Sequence, residues 1–471
     1  MTQTPEPRPL PLAGLLAFAA TSIPTAALEL ALAVHLPRYF ASHMGLGLAL
    51  VGTAFALVRL IDIPLDPLIG LAMDRSRTRF GRYRLWTLGG APVLMAALYA
   101  LMHPPAASGE AYLVGALLAM FLGYSALLLS QLAWAAALAP AYEQRSRIFA
   151  AITGLGVTGA VGVLVAPVIM GKLGYSDAQG VQAMVWFVIA ATPAAALVMT
   201  ARTPERIAPD HARGFRLGDY RTLLTRPNIL RLMASDLCIR LGPGWMAGLY
   251  LFYFTAKLGF DASQANLLLL IYIASGFVGA PLVAWLARAA SKHRALQAST
   301  ALYSLCLIAL PFAPKGNFAA VLPQMVVAGA AFTAFLVMLR ALTADIADEM
   351  RLASGREWTG LVFSLTNATT KLATAAAIFL TFRILAGVGF DPREGAVNTP
   401  AALRGLEVAF LAGPIVFVTV GGLCFLGYRL DSARHAEIRL ELDRRDALHA
   451  ADAAAASAPD QASLRAISRK T

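Results

Sequence analysis

Apolar stretches about 20 residues long recur along nearly the whole of this 471-residue chain. A helix of that length crosses a hydrocarbon layer roughly 30 Å thick. The stretches are unbroken and lack the alternation of a membrane barrel, so we predict helices and no strands. Twelve spans, numbered in chain order, are expected at about residues 11–39, 47–73, 85–103, 112–138, 149–171, 182–200, 228–256, 263–288, 296–313, 319–344, 358–386 and 402–429.

The composition identifies the solvent of these helices. Hydrophobic residues make up 58% of the chain and charged residues only 14%. The core of a soluble protein could not hide so many apolar side chains, so lipid must cover much of the surface. We therefore predict an all-α polytopic membrane protein with no room for a sizeable soluble domain.

The net charge of +12 is distributed as in membrane proteins. Basic residues follow the even-numbered spans in short loops, which is the positive-inside pattern and argues against a nucleic-acid partner. We expect these even-numbered loops and both termini to be cytoplasmic, with the chain in the cell's inner membrane. The basic loop residues are Arg75, Arg77, Arg79, Arg82 and Arg84 after span 2, Arg145 and Arg147 after span 4, Arg202, Arg206, Arg213, Arg216, Arg221 and Arg226 after span 6, and Arg288, Lys292 and Arg294 after span 8.

A long polar interruption divides six spans from six. Six-helix repeats of this kind form two bundles around a binding site near the midplane. We predict an N-terminal bundle over 1–201, a cytoplasmic linker over 202–227, a C-terminal bundle over 228–430 and a cytoplasmic tail over 431–471. The tail shows no apolar stripe wide enough to pack, so we expect a short helical extension followed by disorder.

Predicted spans 2 and 11 carry charged residues far from their ends. Arg59, Asp62 and Asp66 share one face of span 2, because three, four and seven residues separate them. At about 1.5 Å per residue, Asp62 lies about 18 Å and Lys371 of span 11 about 21 Å from the cytoplasmic ends of their spans. A buried ammonium needs a carboxylate, so we expect Lys371 to contact the span 2 acids across the two halves. Charges at this depth mark ion pathways; a purely structural ion pair is the alternative.

Helix breakers recur at corresponding positions of the two halves. Span 1 carries Ser22–Pro24 and Glu29, and span 7 carries Gly242–Gly244 with Asp236 and Arg240. Paired interruptions are typical of a midplane binding site, since unwound backbone is tolerated where it lines a cavity. Glu29 has no basic residue within helical reach, whereas the two charges of span 7 have the spacing to neutralise each other.

Several motifs resemble those of one transporter family. Residues 59–70, RLIDIPLDPLIG, and 76–86, SRTRFGRYRLW, are similar to the span 2 and loop signature of the glycoside-pentoside-hexuronide cation symporters, the melibiose permease family. Residues 142–148, 344–349 and 355–363 agree as well. The resemblance implies a major facilitator fold of two six-helix bundles and a solute transporter that works by alternating access.

The resemblance also implies roles for particular residues. Asp62 and Asp66 would bind the driving cation, and Arg59 and Lys371 would rebalance the charge when that site empties. A cytoplasmic gate would latch the outward-facing state. Its residues would be Asp74, Arg75, Arg79, Gly81, Arg82, Arg145, Arg147, Asp345, Asp348, Glu349, Arg356 and Glu357.

The solute site departs from the family pattern. The charged residues that grip sugar hydroxyls in sugar-binding members align with Ala26, Ser130 and Ile152, although Trp134 is retained. A polyol needs many buried polar partners, so we expect a less hydroxylated, larger or amphipathic solute. Candidate cavity residues are Glu29, Tyr124, Ser130, Gln131, Trp134, Asp236, Arg240, Trp245 and Asn367.

The residues favour a proton over sodium as the coupling ion. An amide and a hydroxyl that complete the sodium site of the relatives align with Leu65 and Leu127. A hard cation needs several oxygen ligands, whereas two carboxylates shielded from water are suited to sharing a proton.

The expected function is therefore cation-coupled symport of a sugar-like or less polar organic solute. A carrier or exporter of lysolipids or other amphipathic compounds is one alternative, and a membrane sensor or assembly factor that does not transport is another. An enzyme is not expected, because the chain shows no nucleophile–base pair, phosphate loop or metal-ligand spacing. We expect no metal and no cofactor besides the coupling ion, and a monomer with the solute and membrane lipids as partners.

Overall fold

The computed structural model describes residues 11–76, 78, 81–105, 109–138, 142–205, 217–356 and 358–457, and every regular element in them is helical. Ten of these helices are long and apolar enough to cross a membrane, or eleven when the two pieces of span 1 are counted together. The predicted fold class is confirmed. The spans run over Leu12–Ala19 with Ser22–Ser42, Leu48–Arg75, Tyr83–Met102, Glu110–Leu138, Tyr142–Lys172, Asp177–Arg202, Pro227–Phe252 with Tyr253–Lys257, Ala262–Ala274 with Gly276–Ala290, Lys292–Ala309 with Leu310–Phe312, Phe318–Ser354, Thr359–Gly387 and Pro400–Leu423.

Span 7 is the helix that falls short of that apolar character. Asp236, Arg240 and the Gly-Pro-Gly sequence lower its hydropathy, but it packs between spans 11 and 12 and most of its second half is buried. The predicted interruption at Gly242–Gly244 is wrong, because the helix continues through it. The glycines instead permit close packing: a Cβ atom on Gly242 would lie 2.6 Å from Val418.

Span 1 does break, but at Ala20 and Thr21, immediately before the predicted interruption at Ser22–Pro24, which is helical. Its pieces are bent by 40° between Ala19 and Ser22, and a π-helical turn follows at Ala31–His35. A further break, which the sequence analysis did not predict, divides span 8 at Ser275, whose hydroxyl donates to the carbonyl of Tyr272 at 2.7 Å. The hydroxyl thus satisfies backbone that the break frees inside the membrane.

The two six-helix halves meet along spans 2 and 11, spans 5 and 8, and spans 1 and 7. They are also tied together on the side of the odd-numbered loops. There His35 hydrogen-bonds to Asn266 at 2.7 Å, and the Ser42 hydroxyl donates to the carbonyl of Pro392 at 2.6 Å. The side of the odd-numbered loops is therefore closed between the halves.

Span 10 continues ten residues beyond its predicted end at residue 344. The additional turns are polar, so hydropathy does not reveal them, but they remain helical up to Ser354. Gly355 then ends the helix with a φ of 68°, the left-handed conformation that favours glycine at a helix C-terminus.

The tail packs against this extension, contrary to prediction. A helix over Ser432–Ser457 buries Ile438 and Leu442, which are one helical turn apart, and its residue Asp446 accepts a hydrogen bond from Arg351 at 2.8 Å. These two apolar residues are sufficient for packing because salt bridges flank them. One joins Arg351 to Asp446, and another joins Arg439 to Asp348 at 3.5 Å.

Span 8 crosses span 10 so closely that a side chain would not fit at Gly329. A Cβ atom there would overlap the carbonyl oxygen of Tyr272. We predict that Gly329→Ala lowers the apparent melting temperature in detergent by several degrees, since overpacking costs about 1–3 kcal/mol. Gly115→Ala, where a Cβ atom meets nothing within 4 Å, is the control. Equal melting temperatures for the two variants would contradict the close crossing.

Candidate functional site

The predicted contact between the halves is present at mid-membrane. The ammonium of Lys371 lies 2.7 Å from a carboxylate oxygen of Asp62 and 2.5 Å from one of Asp66. Asp62 is only 2% exposed and Lys371 14%. Both carboxylates therefore point at one cation, the ammonium of Lys371.

Two further side chains complete this cluster. The Ser125 hydroxyl on span 4 lies 3.1 Å from Asp62 and 2.9 Å from Asp66, so it can donate to one of them at a time. Arg59 lies 3.5 Å from Asp62, and its guanidinium is 4.3 Å from the centre of the Phe121 ring. Two carboxylates and two cations balance formally, which offsets the cost of burying each charge.

Ser125 corrects one premise of the sequence analysis. Leu127 aligns with the span 4 hydroxyl that completes the sodium site of the relatives. The structure instead places the hydroxyl of Ser125 against the acids. Residues 125 and 127 lie on nearly opposite faces of a helix, so Leu127 and Ser125 cannot both face the span 2 acids. The site thus has one neutral oxygen more than the sequence analysis counted.

A cavity of about 910 Å³ begins at this cluster and lies between the halves. Asp66 and Lys371 form part of its wall, and the candidates Asp236, Arg240 and Asn367 line it as well. The wall uses parts of spans 4, 5, 10 and 11 that lead to the even-numbered loops. The cavity therefore lies on the side opposite the closed contacts between the halves.

Asp236 and Arg240 neutralise each other, as their spacing indicates. The Arg240 Nε atom donates to Asp236 at 2.9 Å, and the hydroxyl of Thr369 on span 11 donates to the other carboxylate oxygen. Asp236 is 1% exposed. Arg340 of span 10 also lines the cavity, although the sequence analysis did not select it. Its position inside an apolar span is the signal that could have identified it.

The two polar candidates of span 4 do not line this cavity. Ser130 shares a hydrogen bond of 2.9 Å with Thr87 of span 3, and Gln131 accepts one of 3.1 Å from Ser22 of span 1. Both are buried. They serve the packing of the N-terminal half, and Gln131 satisfies polar groups at the bend of span 1.

The two tryptophan candidates are likewise packing residues in this conformation. The indole of Trp134 donates to the carbonyl of Pro204 at 3.2 Å and stacks on Tyr83, while Trp245 donates to Ala409 at 2.8 Å. Both rings are buried away from the cavity wall. An aromatic residue on a predicted cavity-lining span is therefore not sufficient evidence of contact with the solute, because the ring can be buried in helix packing instead.

Glu29 and Tyr124 lie on the other side of the ion cluster. Glu29 lines a separate cavity of about 80 Å³ that also contains Arg59 and Phe121. Tyr124 is buried and packs edge-on against Phe121. These two candidates are therefore neighbours of the charge cluster and not of the large cavity.

The predicted gate residues of the N-terminal half hold their own half together. The Glu205 carboxylate, after span 6, accepts the backbone N–H groups of Arg82 and Tyr83, the latter at 2.8 Å. Gly81 has a φ of +103°, and a Cβ atom there would overlap the same carboxylate. Arg75 and Arg147 are exposed. Arg79, Glu357 and the side chains of Asp74 and Arg145 lie outside the described residues.

The gate acids of the C-terminal half also have partners within that half. The contacts are Asp345 with Lys292 at 2.7 Å, Asp348 with His435 at 3.1 Å, Glu349 with Asn228 at 2.7 Å, and Arg356 over the ring of Trp358 at 4.9 Å.

Comparisons with known proteins agree with this architecture. The family model described as MFS/sugar transport protein matches residues 17–432. The chain is similar to "Uncharacterized symporter YnaJ" of Bacillus subtilis, at 22% identity over 87% of this chain and 90% of the relative. It is also similar to "Glucuronide carrier protein homolog" of Escherichia coli, at 22% over 88% and 91%. The crystal structure of the nucleoside transporter NupG superposes with a TM-score of 0.63 at 12% identity, over 89% of this chain and 100% of that one.

The charge cluster predicts an asymmetry between its two sides. We expect Asp62→Asn combined with Asp66→Asn to reduce folded yield and thermal stability more than Lys371→Ala. The double change leaves both Lys371 and the permanently charged Arg59 without a carboxylate, at a cost of about 3–5 kcal/mol. Lys371→Ala, in contrast, leaves Asp62 beside Arg59 and leaves Asp66 free to take up a proton. The measurement is the apparent melting temperature of purified protein. Lys257→Ala, which breaks a more exposed ion pair with Glu407, is the control; equal destabilisation by the two changes would argue against the pairing.

Proposed function

This chain belongs to the glycoside-pentoside-hexuronide cation symporters within the MFS/sugar transport protein family, and we propose that it is a symporter that uses a cation gradient to move a small organic solute across the cell's inner membrane. The observation that carries the proposal is the ammonium of Lys371 held between Asp62 and Asp66, at the head of a cavity between the halves. A cation site that joins the moving halves can couple ion binding to their motion.

The halves exchange access by rocking around this cluster. With the even-numbered loops cytoplasmic, the cavity faces the cytoplasm and the closed side faces outward. Lys371 ties spans 2 and 11 together while the ion site is empty. A coupling ion that binds the carboxylates displaces the ammonium, and the ammonium replaces the ion after its release. The empty carrier thus returns without an unpaired buried charge.

The coupling ion is a proton in this proposal. The side chains around the site offer two carboxylates and the hydroxyl of Ser125, while the adjacent position of span 2 is the apolar Leu65. Sodium would need more neutral oxygens to replace its water shell, by analogy with other hard cations. A proton needs only one carboxylate oxygen, and it cancels one of the charges that hold Lys371.

The solute is sugar-like or a less polar, amphipathic relative. Names of similar proteins include a glucuronide carrier homolog and symporters, and the cavity is large enough for a glycoside. One observation favours the second candidate function, a carrier of lysolipids or related amphipathic compounds. Leu129, Leu132, Phe149 and Ile152 make much of the wall from the N-terminal half apolar.

We predict that Asp62→Asn or Asp66→Asn abolishes accumulation of the solute against a gradient. The amides preserve side-chain volume but remove the charge that attracts the cation. Uptake is measured in cells or proteoliposomes, with membrane insertion checked in parallel. Glu407→Gln, an acid outside the cluster and paired with Lys257, is the control. Accumulation that persists in either aspartate variant would refute the cation site.

The choice of ion is tested by gradients imposed one at a time. Proteoliposomes receive either a pH gradient or a sodium gradient at uniform pH, and solute uptake is recorded. We expect accumulation with the pH gradient alone. Sodium-driven accumulation that potassium cannot replace would contradict the proton and would mean that Ser125 and backbone carbonyls complete a sodium site.

A further inference from the structure

Arg340 lines the cavity and takes no part in the proposed ion site. Its side chain is exposed to the cavity, and among the described residues no hydrogen bond or ion pair involves it. Asp236, the nearby acid, is occupied by Arg240 and Thr369. The guanidinium of Arg340 therefore faces the cavity with its donors available.

A charge at the depth of Arg340 is costly unless water or a partner charge faces it. Fourteen residues separate it from Ser354 at the end of span 10, a rise of about 21 Å. Cations so far inside a membrane helix are rare and face water-filled paths or partner charges. Because Arg340 forms no hydrogen bond or ion pair among the described residues, its position favours a partner that arrives with the solute.

The charges of the cavity wall sum to a net positive charge. Arg240, Arg340 and Lys371 contribute three positive charges, and Asp66 and Asp236 contribute two negative ones. The wall therefore carries a formal excess of one positive charge, which corresponds to Arg340. A guanidinium binds carboxylates by two parallel charge-assisted hydrogen bonds, so the complement is one acidic group.

The two walls of the cavity differ in polarity. Spans 10 and 11 contribute hydroxyl and amide groups beside Arg340, among them Thr343, Ser364 and Asn367. The facing wall from spans 4 and 5 is largely apolar and includes Phe149. A solute that satisfies both walls has an acidic group and polar atoms on one side and an apolar body on the other.

We propose that the transported solute is an organic anion whose carboxylate pairs with Arg340, while its apolar part lies against spans 4 and 5. This inference rests on the proposed function, because it names the class of solute for the same cavity. Protonation of the ion site and binding of the anion then add charges of opposite sign. The loaded carrier stays close to electrical balance.

The test compares probes that differ only in their acidic group. Purified full-length protein is titrated, without any ion gradient, with 4-nitrophenyl β-D-glucuronide against 4-nitrophenyl β-D-glucoside, and with 4-phenylbutyrate against 4-phenylbutanol. We expect at least one acid to bind at least about tenfold more tightly than its neutral partner, since a hydrogen bond to a charged group contributes about 1.5–3 kcal/mol. Neutral probes that bind as tightly as the acids, or no binding by any acid, overturn the proposal.

Variants of Arg340 test whether this residue causes the preference for acidic probes. Arg340→Gln should remove the preference for the acid, and Arg340→Lys should keep part of it, because the charge remains and the bidentate geometry is lost. Arg404→Gln, on span 12 and outside the cavity wall, should bind as the unmodified protein does. A preference that survives in Arg340→Gln overturns the assignment.

The outcome for the anion is separable from the outcome for symport. Selective binding of an acid without any gradient-driven uptake would leave this inference standing and refute the symporter. Gradient-driven uptake of neutral probes, with no preference for acids, would support the symporter and refute the pairing of an anion with Arg340.

Discussion

The ammonium of Lys371 can remain in the membrane only while two carboxylates of the opposite half surround it. Without an opposite charge beside it, each of these groups would have a large desolvation energy in a medium of low dielectric constant. Their mutual dependence fixes the register of span 11 against span 2, and it places a polar junction where the halves meet. Packing of the remaining spans has to accommodate that junction, and the large cavity begins beside it.

The site divides its chemistry between the halves. Span 2 contributes the acids and span 4 the hydroxyl of Ser125, so the N-terminal half would hold the proposed coupling ion. Spans 7, 10 and 11 contribute Lys371 and the two arginines, so the cations of the cavity wall belong to the C-terminal half. In the proposed mechanism, a change in ion occupancy therefore acts first at the interface between the halves and not inside either of them.

Periodicity and charge are sufficient to predict the helices and the contact of Lys371 with the span 2 acids, because apolar length and the cost of a buried charge are strong constraints. The direction of individual side chains is harder to predict. Trp134 and Gln131 are candidates for the cavity wall by sequence, yet both are buried in helix packing, where the neighbours of a residue depend on tertiary contacts. The continuous helix at Gly242 and the packed tail at Ile438 were missed for the same reason: both depend on a partner surface that is distant in sequence.

The docked tail makes the motion of the C-terminal half measurable from outside the membrane. Its helix of 26 residues is anchored on the polar end of span 10 and extends about 39 Å. A rigid rod magnifies rotation at its base, so a small tilt of span 10 becomes a much larger displacement at the far end. A fluorophore there, paired with one on an N-terminal loop, would act as a ruler for each transport cycle without disturbing the cavity.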